Sequence, residues 1–167
     1  MPVTTDIVRT WRRPREVMRD LLAQGRREDR AIAYLMIACF LSFVAQWPRR
    51  SRRAAGVELP PGADVPTLDR LMAYEFMAWL MIWPLFLYIF AALTHIVAKL
   101  FGGQGDWYGA RLALFWTMLA TTPLLLLYGL TAGFMGPGVE TRLVGGLWVA
   151  AFVVIWLQCL REAESKE

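Results

Sequence analysis

The sequence predicts an all-α fold: a polytopic bundle of about four transmembrane helices, preceded by a short amphipathic helix lying in the membrane interface. Three observations lead there. Of the 167 residues, 57% are hydrophobic, and mean hydropathy is +0.39. Soluble domains average about 45–50% apolar residues. The apolar excess is gathered into four long runs, at about 31–47, 71–101, 107–134 and 143–160. Arginines, tryptophans and Gly/Pro bends punctuate those runs, as expected where helices leave a bilayer. The spans form one domain, 31–160, between an N-terminal tail, 1–30, and a polar tail, 161–167.

Residues 1–13 read as a poorly ordered tail. Pro14 then suits a first helical position. Val17, Met18, Leu21 and Leu22 form one apolar stripe over 14–25, with Arg15, Arg19 and Asp20 facing elsewhere. Burial of that stripe in the interface is the favoured reading; packing against protein is the alternative. The eight arginines of the first thirty residues leave no room for an apolar leader segment.

Ala31–Trp47 is 17 residues without a charge, just enough to span at the usual ~17–25 residues. Trp47-Pro48 closes it, and Arg49, Arg50, Arg52 and Arg53 follow. Pro60-Pro61-Gly62 and Pro66 make 54–69 a loop. Leu71–Phe101 is interrupted by Pro84 and would be about 46 Å long, more than the ~30 Å hydrocarbon core. Its ends emerge, or it tilts and kinks at the proline. Glu75 falls towards one interface and His95 towards the other.

The stretch 94–116 then turns the chain. Gly102, Gly103, Gly105 and Gly109 supply residues free to adopt positive φ. Lys99, Trp107, Tyr108 and Arg111 are placed to anchor at headgroup depth, as are Trp11, Arg12, Arg13, Arg15 and Arg19 ahead of the first span. A phosphate-cradling loop is the weaker reading, because the third glycine of a dinucleotide fingerprint and the Gly-Lys-Ser/Thr of a P-loop are both missing. Within the third span, Thr121-Thr122-Pro123 marks a kink whose freed carbonyls the hydroxyls can satisfy. Gly129 with Gly133, and Gly145 with Gly146, give small faces for close helix packing.

Four spans with both termini cytoplasmic put twelve basic residues inside and six outside. If 31–47 instead dipped in and returned, the division would be fourteen to four. Charge favours the second arrangement. The unbroken helical pattern favours the first, because backbone turning back in lipid loses its hydrogen bonds.

The chemistry is sparse. His95 is the only histidine, which rules out bis-histidine haem and HExxH zinc within one chain. No metal site or cofactor is expected. No G-x-S-x-G occurs, so no catalytic residue is assigned. Cys39 and Cys159 fall at different depths and read as free, buried thiols. Glu75, His95, Thr121 and Thr122 are the candidate intramembrane or interfacial polar sites. The basic surplus fits anionic headgroups rather than nucleic acid. Other membrane proteins, or further copies of the chain, are the remaining expected partners.

Two stretches carry a resemblance. Pro14-Arg15-Glu16-Val17-Met18-Arg19-Asp20-Leu21-Leu22 ahead of the first span resembles the corresponding segment of Yip1-domain proteins. His95 through Gly105, then Trp107-Tyr108-Gly109-Ala110 and Thr121-Thr122-Pro123, resembles that family's central hairpin. Eukaryotic relatives act in vesicle traffic with small GTPases. For a bacterial member the resemblance implies an integral inner-membrane protein, and it brings no catalytic residues with it. The function expected is an interaction scaffold or accessory subunit. The alternative is an oligomeric transporter or channel component with Glu75, Thr121, Thr122 and Gln158 lining its path; a membrane enzyme ranks last.

Overall fold

The computed structural model describes residues 3–57 and 66–165. The described residues form helices joined by short turns: α1 (Val3–Thr10), α2 (Pro14–Ala23), α3 (Glu28–Ala54), α4 (Leu68–Met77), a π-helical turn (Ala78–Ile82), α5 (Trp83–Leu100), α6 (Trp107–Ala120), α7 (Thr122–Phe134) and α8 (Val139–Glu164). Among the described residues three segments are long and apolar enough to cross a membrane: α3, α4 through α5, and α8. Counting α6 and α7 as one span bent by 44° makes four.

Successive spans run antiparallel. Glu28, at the start of α3, pairs with Arg111 at the start of α6, while Arg50, near the end of α3, pairs with Glu75 on α4. The first apolar segment therefore crosses the bundle from end to end as one helix and does not turn back. It also outruns its expected boundary. Pro48 lies inside α3, and the arginines that follow it sit on a helical extension to Ala54.

Two helix irregularities have identifiable causes. Pro84 offers no N–H, and the turn just before it widens to π geometry before α5 resumes with the proline at its start. Pro123 likewise cannot serve Leu119 O, which accepts instead from Thr122 Oγ1 at 2.8 Å. Ala120 O accepts from the Trp11 indole at 3.1 Å. The kink is thus closed partly by a residue from the N-terminal segment.

That segment corrects two expectations. Residues 3–10 are helical rather than a loose tail. Thr10 is fully buried and accepts from the Trp116 indole at 3.0 Å. The apolar stripe of α2 lies on protein, not lipid: Val17, Met18 and Leu21 are buried in the same core as Leu112, Phe115, Trp116 and Cys159. Periodicity shows that a stripe must be covered, not by what; here α8 is the main helix that receives it. The Pro60-Pro61-Gly62 loop lies outside the described residues.

Glycines set the closest approaches. Gly129 and Gly133 on α7 face Ala45 and Pro48 on α3, where added Cβ atoms would collide with backbone. Gly145 meets the Tyr128 ring, with 3.0 Å to a built Cβ. Gly146 meets nothing within 4 Å inside this chain.

Candidate functional site: the glycine bend and its carboxylate

At the bend, α5 presents Leu87, Ala91 and His95 inward at successive turns. His95 is completely buried. Its Nδ1 lies 2.6 Å from Glu164 Oε1, on the last turn of α8. Against an ionised carboxylate, which only accepts, Nδ1 is the donor. Glu164 Oε2 accepts from Gly105 N–H at 3.1 Å, and Glu164 O accepts from Gln104 N–H at 3.0 Å. One residue of α8 therefore holds both the histidine and the backbone of the bend. The Trp107 ring lies over the imidazole, with centroids 4.5 Å apart. Among the described residues no hydrogen-bond partner meets His95 Nε2, which is buried.

The bend's glycines divide into two kinds. Only Gly102 takes a positive φ, +87°. Gly103 and Gly105 are needed for space, since a Cβ at Gly105 would strike Ala163 O and one at Gly103 would come 2.7 Å from the Glu164 carboxylate. Gly109 sits against the capping carboxylate of Asp106, which accepts its N–H at 2.7 Å. All four are free to adopt positive φ, and close approach is what the other three supply.

Beside this lock opens a cleft of about 760 Å³ between α2, the bend and the end of α8. Two ion pairs cross it. Arg19 of α2 reaches Glu162 at 2.6 Å, and Arg26 reaches Asp106 at 2.7 Å.

The remaining sequence candidates are not gathered here. Glu75 sits at the opposite end, paired with Arg50 and accepting from the Trp79 indole at 3.0 Å. Thr121 and Thr122 are buried at the kink, with hydroxyls donated to carbonyls of the preceding turn. Tyr108 is inside the bundle rather than among headgroups, its hydroxyl 3.4 Å from Arg27 O. Arg111 binds Glu28 and lies over the Tyr88 ring. Trp11 and Trp107 are about half exposed, while Arg12, Arg13, Arg15 and Lys99 face outward. Glu164 was missed because it belongs to the polar tail by composition. The signal that could have found it is the helical run continuing past Leu160, which returns Glu164 to the Cys159–Ala163 side of α8.

These features define an all-α, multi-pass integral membrane protein whose central bend is tied to its last helix. The sequence model of the Yip1 domain matches residues 8–167, and the chain belongs to that family. No curated protein and no solved structure matches it.

Proposed function

We propose that the chain is a non-enzymatic membrane scaffold or accessory subunit that engages partner membrane proteins, or other copies of itself, through its outward faces. One observation carries this reading. The buried hydroxyls of the spans are spent on their own helices: Ser42 on Ala38 O, Thr117 on Ala113 O, Thr121 on Thr117 O and Thr122 on Leu119 O. They offer a cargo no row of donors, whereas a transporter needs a polar midplane site. The outward faces instead carry large apolar side chains, Leu85, Ile89, Leu93 and Val97 on α5 and Leu143, Leu147, Val153 and Leu157 on α8.

The proposed location is a bacterial inner membrane with both termini cytoplasmic. Support comes from the positive-inside count and from the shared end of the bundle at which α2 and the end of α8 meet. Exposed Arg12, Arg13, Arg15 and Lys99 there suit anionic headgroups.

The test is purification from native membranes in mild detergent, followed by sizing and mass spectrometry. A stoichiometric protein partner or a defined homo-oligomer is expected. A lone monomer whose reconstitution produces a solute flux, abolished by Glu75→Gln or Thr122→Val, would overturn the proposal.

A further inference from the structure

We propose that the cleft between α2, the bend and the end of α8 binds a phospholipid headgroup that carries both a phosphate and a primary ammonium, that is, a phosphoethanolamine. The proposal rests on the membrane reading above only in placing the cleft at headgroup depth.

The size is suitable: about 760 Å³, within the ~300–1,000 Å³ typical of ligand pockets. The depth follows from the apolar belt. The exposed apolar row of α8 ends at Leu157, and that of α3 begins at Ile32. The cleft, lined by Arg19, Arg26, Gln104, Asp106 and Glu162, lies just past both. Leu22 and Ala163 give it an apolar wall next to where acyl chains run.

Charge decides the ligand. The two arginine side chains are 69% and 76% exposed; Arg19 gives Nε and Nη2 to Glu162 and Arg26 gives Nη2 to Asp106, which leaves Nη1 of each open to an incoming anion. Each is also held by a carboxylate on the facing element. A plain anion entering between them meets Glu162 and Asp106 and is repelled. A zwitterion matches all four groups, with phosphate on Arg19 and Arg26 and ammonium on Glu162 and Asp106. A primary ammonium offers hydrogen-bond donors to those carboxylates, whereas a quaternary choline offers none. Opposite charges at fixed positions thus select the headgroup by its dipole as well as its net charge.

The experiment uses the full chain in detergent with an equimolar mixture of phosphatidylethanolamine, phosphatidylglycerol and phosphatidylcholine, and counts retained lipids by native mass spectrometry. One phosphatidylethanolamine should be retained roughly tenfold over either competitor, a difference of about 1.4 kcal/mol. Glycerophosphoethanolamine should displace it and inorganic phosphate should not. Arg19→Gln with Arg26→Gln should abolish retention, and Glu162→Gln should erase the preference over phosphatidylglycerol. Ala23→Trp, at an exposed position on the rim, should block the cleft while leaving thermal unfolding unchanged. Equal retention of the three lipids, displacement by phosphate alone, or undiminished retention in Ala23→Trp would overturn the proposal. Equal retention by a protein that still elutes with a protein partner would sink the headgroup site and leave the scaffold standing. Selective retention by a monomer that conducts solute would do the reverse.

Discussion

Helices α5 and α6 face each other across the glycine bend, and both are rich in apolar residues. Yet α6 is buried from Tyr108 through Ala120 apart from a half-covered Arg111, while α5 hides only Leu87, Ala91 and His95. Hydrophobicity does not separate these two fates, because lipid and protein interior are equally apolar. Small and polar side chains separate them better. Gly109, Ala110, Ala113, Thr117 and Ala120 let neighbours approach α6 from every side. On α5 the small and polar positions make a single stripe, and large residues fill the rest.

Substitutions can break that contrast. The largest effect is expected at Trp116, which is wholly buried against Thr10 and Tyr34. Trp116→Ala should cost about 3–5 kcal/mol of stability to unfolding in detergent. Leu85→Ala on α5, at a side 66% exposed, should stay within about 0.5 kcal/mol. Comparable losses at both positions would abolish the distinction.

Next come the glycines. Gly129→Val pushes α7 away from Ala45 and should cost at least about 1–3 kcal/mol by overpacking. Gly146→Val has open space and should be near neutral in a thermal melt. If Gly146→Val destabilises as strongly, α8 packs on something outside the monomer, and the outward face is an interface.

The two buried or half-buried carboxylates follow. Glu164→Ala removes the partner of His95 and of the bend backbone, for an expected loss of about 1.5–3 kcal/mol and faster proteolytic cutting within 101–106. Glu75→Gln keeps an acceptor for Arg50 and for the Trp79 indole and should cost less, about 1 kcal/mol of stability. The reverse order would move the organising centre to the other end. Last, a Ser51→Cys probe on the extension of α3 should react only with a reagent applied on the side opposite the termini. Labelling from the side of the termini would contradict a complete crossing by α3.

The sequence made the spans legible because hydropathy and Gly/Pro punctuation act locally. The kink at Thr121-Thr122-Pro123 was readable for the same reason. The partners of those segments were not. The stripe Val17, Met18, Leu21 looks the same whether lipid or α8 receives it. Trp11 reads as an interfacial ring, and nothing near it in sequence announces that its N–H will close the break at Ala120. Of the central site, His95 and the glycines were visible, but Glu164 was classed with solvent. A charge in the last turn of a span ordinarily escapes to water, and here the bend folds back over it.

The tie between Glu164 and the bend also has a consequence for the order of synthesis. Gly105 precedes Glu164 by 59 positions, and His95 precedes it by 69. The α5–α6 hairpin is therefore made and inserted while its histidine still lacks its acceptor. Any insertase or chaperone attending the nascent chain meets a polar imidazole in an unfinished hairpin, and that exposure ends only when α8 arrives.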